Sequence, residues 1–232
     1  MARKSRRKRA AQSSAASSAP PRERVIEAFF ALLAQNRIEE IEPSEIASGA
    51  GVSLAELREM FGSPLAILSA HAKEIDRQVL AAGDADMAEE SPRERLFDVL
   101  MRRIEILEPR KPAVQSLLRS CRRDPGLAMA LNGIAVRSHY WMLAAANIDA
   151  AGPRGMLRAQ GLAMLFASVL RVWVDDDDPG RARTMSALDR ALARAQRWSG
   201  FCEELCRIPR RFGRRGRRRR DFDEGDEETV AV

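Results

Sequence analysis

The sequence contains few cysteines and histidines and no long apolar run. Its 232 residues include three Cys, two His and one Tyr. Three unevenly spaced cysteines do not make a disulfide framework, so we expect Cys121, Cys202 and Cys206 to be reduced and to pack as small apolar residues. No stretch approaches the roughly 20 apolar residues that span a bilayer. These absences predict a cytoplasmic protein.

Motifs that would support catalysis are also missing. There is no nucleophile motif, no HExxH and no glycine-rich loop that cradles phosphate, and the isolated His71 and His139 offer little material for acid–base chemistry. His139 stands beside Tyr140 and Trp141, where a polar group on an apolar helix is more often structural than catalytic. The consecutive carboxylates at 175–178 diverge and lack an EF-hand pattern. We therefore expect no enzyme activity, no metal and no cofactor.

The charge is concentrated at the two ends of the chain. The net charge is +6, yet residues 3–9 hold six bases, residues 207–220 hold nine Arg, and six acids follow at 221–228. The stretch between these ends carries a net charge of −3. We expect residues 1–21 to form a disordered basic arm and 207–232 a disordered tail. The bases of the arm are Arg3, Lys4, Arg6, Arg7, Lys8 and Arg9.

The sequence indicates where four helices begin, because a capping residue followed by Pro occurs four times. These pairs are Ser63-Pro64, Ser91-Pro92, Asp124-Pro125 and Asp178-Pro179. Apolar residues between them recur at helical spacing, and no segment alternates as a strand would. The sequence predicts an all-α fold with helices near 22–36, 43–50, 54–60, 63–82, 91–107, 110–122, 125–148, 153–175 and 179–206. Gly83 and Asp84 predict a boundary between a small domain at 22–82 and a larger one at 83–206.

Residues 43–61 read PSEIASGAGVSLAELREMF and have the spacing of a helix-turn-helix, in which two short helices meet at a tight turn. Gly51 can take the positive φ that ends the first helix, Val52 can fill the gap between the helices, and Ser53 can cap the second. The residues predicted to face inward are Ile46, Ala47, Leu57 and Phe61.

Together with RVIEAFFALLAQN before it and FGSPLAIL after it, this segment resembles the N-terminal domain of TetR-family transcriptional regulators over residues 22–75. The run EIASGAGVS and Phe61 carry the resemblance. It implies a homodimer that binds a palindromic DNA operator and releases it when a small apolar ligand enters the larger domain. By the family's pattern, the DNA-facing residues are Ser44, Ser53, Leu54, Ala55, Glu56, Arg58, Glu59 and Ser63.

Two positions depart from that pattern, and the local charge is unusual. Arg58 stands where the family usually has Tyr, and Pro64 stands where it has a phosphate-contacting Lys. Residues 22–70 contain four Arg and eight Glu, a net charge of −4, and DNA repels such a surface. Two interpretations stay open. The domain reads DNA with help from a basic arm on the backbone or in a minor groove, or it is a structural remnant that no longer reads DNA.

For the larger domain, the sequence predicts an apolar pocket and a dimer interface. A pocket between helices is predicted around Met101, Ile104, Leu118, Met142, Met164 and Phe166, with ordinary core packing as the alternative. A twofold interface is predicted at Met185, Leu188, Leu192 and Trp198, whose spacings of three and four also suit internal burial.

The segment RVWVDDDDPGRARTMSALDRALARAQ, residues 171–196, is similar to ubiquinone-biosynthesis lipid-binding proteins of the same fold. The similarity is carried by an acidic turn followed by Leu188-Asp189-Arg190. It implies an alternative function, a lipid- or isoprenoid-binding accessory protein without DNA readout, and only this alternative brings membrane contact. An Arg-rich tail stands where the membrane-docking helix of those proteins would come.

Overall fold

A computed structural model of the chain describes residues 19–82 and 89–207, with side chains up to residue 197. Within these ranges the chain is helical and contains no strand, which confirms the predicted all-α fold. The helices are α1 (Pro21–Leu33), α2 (Pro43–Ala50), α3 (Leu54–Met60), α4 (Pro64–Ala81), α5 (Pro92–Leu107), α6 (Lys111–Cys121), α7 (Pro125–Ala145), α8 (Gly152–Trp173) and α9 (Ala182–Arg207). Across these described helices, none has the length and apolar content needed to span a membrane.

Several predictions concern parts of the chain outside this description. The bases at 3–9, the boundary at Gly83 and Asp84 and the tail beyond residue 207 lie outside the described residues. The same holds for the side chains of Cys202 and Cys206. Cys121 is a free, half-buried thiol, and burial raises its pKa above the usual value.

Three of the four predicted helix starts are confirmed. Ser63, Ser91 and Asp124 begin α4, α5 and α7, each with Pro at the first helical position. In each case a side-chain oxygen accepts a hydrogen bond from the backbone N–H three residues on, at 3.0–3.3 Å. These caps satisfy N–H groups that have no partner inside the helix, which is why such short sequence signals fix where a helix begins.

The fourth predicted start, at Pro179, is wrong because α9 begins at Ala182. The Asp178 carboxylate accepts from the backbone N–H of Ala182 at 3.1 Å and holds a turn that precedes the helix. The deeper cap is the buried Asp176, whose Oδ2 accepts from the backbone N–H and the hydroxyl of Thr184 at 2.9 and 2.6 Å. These hydrogen bonds hold the pKa of Asp176 below its usual range.

The buried apolar residues form two clusters, which we call the head core and the body core. The helices around the first cluster are the head, and those around the second are the body. The head core lies among α1, α2, α3 and the start of α4, and the body core lies among α5, α7, α8 and α9 up to Leu192. Helix α4 enters both, since Ile67 belongs to the head core and Ile75 and Val79 belong to the body core. Its 18 residues make a rod of about 27 Å. By its contacts the chain forms one compact unit up to Leu192, and a second begins at Ala193 within α9.

A buried ion pair joins three helices of the first unit. Arg103 of α5 donates from Nη1 to Oδ1 of Asp76 on α4, and Ser138 of α7 donates its hydroxyl to the same oxygen at 2.5 Å. All three side chains are buried. Because a buried charge without a partner is costly, removing one member of such a pair destabilises a fold by about 3–5 kcal/mol. The network therefore fixes α4 against α5 and α7.

The acidic turn before α9 generates a stability prediction. We expect Asp176→Ala to lower the free energy of unfolding by about 1–2 kcal/mol, because it leaves the N–H and the buried hydroxyl of Thr184 without their acceptor. Asp177→Ala is the matched control, since Asp177 is exposed beside it, and we expect a change within about 0.5 kcal/mol. Urea unfolding of the two variants measures both values, and equal losses would contradict the role given to Asp176.

The buried His139 generates a pH prediction. Burial lowers the pKa of His139 to about 3, so the folded ring stays neutral while the unfolded ring takes up a proton below its ordinary pKa. Its contribution to stability is complete above pH ~6.5 and falls by up to about 1.4 kcal/mol per pH unit below that value. We expect His139→Phe to flatten the decline in unfolding free energy between about pH 6.5 and 5. An unchanged slope in urea titrations would show that the ring does not titrate this way.

Candidate nucleic-acid interface

The turn between α2 and α3 has the geometry that the sequence predicts. Gly51 ends α2 with φ 63° and ψ 42°, a left-handed conformation that glycine adopts without strain. Val52 is half-buried against the head core. The inward-facing set of Ile46, Ala47, Leu57 and Phe61 is buried, which confirms those four predictions. Helix α3 therefore stands on the head core by Leu57 and by Phe61 directly after it.

Ser53 and Glu56 cap α3 reciprocally. The Ser53 hydroxyl accepts from the Glu56 N–H at 3.2 Å, and the Glu56 carboxylate accepts from the Ser53 N–H at 2.7 Å. These bonds hold the pKa of Glu56 below its usual range. Both side chains are exposed, as predicted, but they are engaged with each other. They set the start of α3 as well as lying on its outer face.

The start of α2 is built in the same way. The Glu45 carboxylate accepts from the backbone N–H of Glu42 at 3.0 Å, and the exposed Ser44 donates its hydroxyl to the Glu42 carboxylate at 3.1 Å. Just before α2, Glu40 pairs with Arg37 at 2.6 Å, which lowers the pKa of Glu40. A carboxylate near a helix N-terminus complements the partial positive charge there. Much of the head's acidity is thus used in capping and local pairing.

The outer face of α3 presents four exposed side chains, Leu54, Ala55, Arg58 and Glu59. Leu54 is 56% exposed although it is apolar. The Arg58 guanidinium donates from Nη1 to the Gly62 carbonyl at 3.0 Å, so it lies over the turn that leads to α4. At the end of that turn the exposed Ser63 accepts from the N–H of Ala66 and caps α4. All the predicted DNA-facing residues are therefore exposed.

Arg22 is a cation beside this face that the sequence patterns did not single out. Its guanidinium lies 4.4 Å from the centroid of the Phe61 ring, and Nη1 donates to the Met60 carbonyl at 3.4 Å. The contact brings the first turn of α1 to the end of α3 across a separation of 38 positions in sequence. No local spacing signals such a contact, because it depends on how α1 packs on the head core.

The predicted ligand-pocket residues do not all come together. Ile104, Met142 and Phe166 are buried in the body core, and Met101 packs partly buried against it. Leu118 is half-buried. The prediction for Met164 is wrong, since this side chain is 65% exposed. Two residues rotate a helix by about 200°, so Phe166 faces the core and Met164 faces away from it.

The dimer-interface prediction needs a similar correction. Leu188 and Leu192 are buried in the body core at 0% and 5% exposure, so they are not available to a partner. Met185 is exposed, and the side chain of Trp198 lies outside the described residues. Spacings of three and four mark a buried helix face without saying which surface covers it.

A cleft of about 760 Å³ lies where α1 and α4 approach the connection between α5 and α6. Its walls include Ile26, His71, Ile106 and Arg110. The His71 ring lies 4.3 Å from that of Phe30, and burial lowers its pKa to about 4. None of the predicted pocket residues lines this cleft.

Comparison with known proteins identifies solved structures that have a similar fold. Neither a protein-family model nor a curated protein matches the chain. Among solved structures, a TetR transcriptional regulator from Nitrosomonas europaea ATCC 19718 is similar with a TM-score of 0.60 at 20% identity, covering 77% of this chain and 99% of that one. A TetR transcriptional regulator from Rhodococcus sp. RHA1 is similar with a TM-score of 0.54 at 22% identity, covering 75% and 94%. The chain has the fold of TetR transcriptional regulators.

Proposed function

We propose that the chain is a DNA-binding transcriptional regulator of the TetR type, which acts as a homodimer and leaves its operator when a small apolar ligand binds. The observation that carries the proposal is the geometry of α3. A capped helix stands on Leu57 and Phe61 and turns Leu54, Ala55 and Arg58 outward, as a recognition helix must to enter a major groove.

In this proposal the head and the basic arm contribute to DNA binding in different ways. Residues 22–70 carry a net charge of −4, so the head alone attracts phosphate weakly. The six bases at 3–9 supply the missing attraction from a segment that leads into α1. Contacts to phosphate position a protein on DNA but carry little sequence information. Sequence readout therefore falls to the outer face of α3.

An exposed apolar face of α8 supports the dimer. Leu157 and Met164 are 73% and 65% exposed, and they lie seven residues apart on the side opposite the buried Ala159 and Phe166. Exposed apolar side chains at this spacing form one stripe, and the same surface can meet its copy across a twofold axis. The proposed interface consists of this stripe together with Met185, in place of Leu188 and Leu192.

The buried ion pair supports a route from ligand to DNA. Asp76 lies on α4, whose first turns are part of the head core, while Arg103 and Ser138 lie on helices of the body. Beside Arg103, the Met142 sulfur lies 3.9 Å from Nη1 and the centroid of the Phe166 ring lies 5.8 Å from the guanidinium carbon. A ligand that binds one arrangement of these groups better than another shifts α4, and with it the head.

The lipid-carrier alternative has less support. The similarity to ubiquinone-biosynthesis proteins is not shown by the comparisons with known proteins. In the segment that suggested it, Leu188 fills the body core and Asp189 accepts from Arg93 of α5 at 2.5 Å, so packing accounts for both residues. It remains the competing hypothesis, and co-purification of a prenyl lipid with the protein would favour it.

The regulator proposal predicts sequence-specific binding that outlasts removal of the charged ends. We expect the full chain and a truncated chain of residues 21–206 to enrich the same palindromic site from genomic fragments. The truncated chain should bind more weakly and with a shallower salt dependence, because it has lost phosphate contacts. Binding by the full chain alone, without sequence preference, would make the helix-turn-helix a structural remnant.

The recognition face is tested by changing Ala55 to Glu and Arg58 to Ala together. We expect specific affinity to fall at least about tenfold, since a carboxylate enters the groove and a cation is lost. The matched control combines Ala144→Glu with Arg137→Ala on α7, which makes the same charge change at exposed residues of the body. Unchanged operator binding in the first variant would show that α3 is not the reading helix.

The dimer is tested at the α8 stripe. We expect Leu157→Glu with Met164→Glu to convert a dimer to a monomer, because two buried charges would face their copies across the axis. Sedimentation equilibrium measures the change, and binding to a palindromic site should weaken in parallel. Leu80→Glu is the control, since Leu80 is an exposed apolar residue on α4. A variant that stays dimeric would place the interface elsewhere.

A further inference from the structure

Seven buried side-chain atoms of the described residues have no hydrogen-bond partner, and two of them belong to side chains that lie against the body core. These two are Nε of Arg103 and Nε2 of His139, and both side chains are buried. Both lie against the ring of Phe166, with the His139 ring at 5.0 Å and the Arg103 guanidinium at 5.8 Å from its centroid. Buried polar atoms are nearly always paired, so two unpaired atoms beside one ring point to an occupant that pairs them.

The chemistry of the two atoms is complementary. Arg103 Nε carries a hydrogen and can only donate. His139 Nδ1 lies 2.8 Å from the carbonyl oxygen of Ala135, which can only accept, so Nδ1 holds the ring proton. Burial lowers the pKa of His139 to about 3, and the ring is therefore neutral. Nε2 is left with a lone pair and can only accept.

The chemistry of a hydroxyl group matches both atoms, since a hydroxyl can accept from Arg103 Nε–H and donate to His139 Nε2. A carboxylate or an ether cannot donate, and a hydrocarbon can do neither. The neighbouring side chains of Met142 and Phe166 are apolar. We propose that the ligand of the body is an apolar molecule with one hydroxyl group, held between Arg103 and His139. Its regulatory role rests on the function proposed above, whereas its binding does not.

The position of Arg103 gives such a ligand a path to the head. Its Nη1 holds the Asp76 carboxylate of α4, and the Met142 sulfur lies 3.9 Å from the same nitrogen. A hydroxyl on Nε engages the other side of one rigid, planar guanidinium. Ligand binding and the placement of α4 thus share a side chain, and a rotation of the guanidinium toward the ligand alters its contact with Asp76.

The site is tested on the full-length protein with three small molecules that share the same carbon skeleton. Thymol has a hydroxyl, thymol methyl ether has an oxygen that only accepts, and p-cymene lacks the oxygen. We expect thymol to bind about tenfold more tightly than p-cymene, with the ether between them, because only thymol pairs both buried atoms. Titration calorimetry measures the three affinities. Equal affinities, or no binding of thymol, would overturn the proposal and leave a bridging water as the partner of both atoms.

Two histidine variants test which residue causes the preference for thymol. His139→Phe keeps an aromatic ring and removes the acceptor, so thymol should fall to the affinity of its methyl ether. His71→Phe is the matched control, because the half-buried His71 is also neutral and lines the separate cleft. Loss of the preference in His71→Phe alone would move the ligand to the cleft and overturn the assignment.

A measurement on the unmodified protein covers the case in which His139→Phe does not fold. Nitrogen NMR of the histidine rings should show the Nε2 signal of His139 moving when thymol is added and not when p-cymene is added. The same samples separate this inference from the regulator proposal. Specific DNA binding without a preference for thymol contradicts the site alone, and a preference for thymol in a protein that reads no DNA contradicts the regulator alone.

Discussion

The buried pair of Asp76 and Arg103 is the constraint on which the arrangement of the chain depends. It lies where α4 passes from the head core into the body core, and Ser138 adds a third helix to the same carboxylate oxygen. Apolar contacts are tolerant of small slides, but a buried ion pair is not, because displacement leaves a charge without its partner. The pair therefore fixes the register of α4 against α5 and α7, and the orientation of the head follows from it.

The acidity of the head has a structural origin. Glu45 and Glu56 cap α2 and α3, and Glu40 closes a turn with Arg37, so these carboxylates hold together the motif that is proposed to meet DNA. Capping groups shape short helices that have little propensity to form alone. The carboxylates that stabilise the proposed recognition element therefore also repel the phosphates of DNA. In the proposed function, the bases at 3–9 supply the attraction for DNA, so the capping carboxylates can stay in place.

The body combines a closed core with an open face. Residues of α9 that look like an interface by spacing, Leu188 and Leu192, complete the core, and the uncovered apolar stripe lies on α8 instead. Inside the core, Arg103 and His139 each carry an unpaired polar atom, and both side chains lie beside the ring of Phe166. The surface proposed for a second copy and the site proposed for a hydroxyl-bearing molecule thus lie on neighbouring helices, which would couple them in a ligand-responsive dimer.

The sequence by itself determined the features that depend on local physics. Ser53, Ser63, Ser91 and Asp124 cap helices because each acts on N–H groups three residues away, and Gly51 makes its turn by its own backbone freedom. The exposed face of α3 follows from the same local periodicity. Tertiary structure alone decided which helix faces are covered, why Asp176 caps α9, and how Asp76, Arg103 and Ser138 meet across 27 and 62 positions. The reason is that local spacing fixes the direction of a side chain relative to its own helix, whereas its partner is set by the packing of all the others.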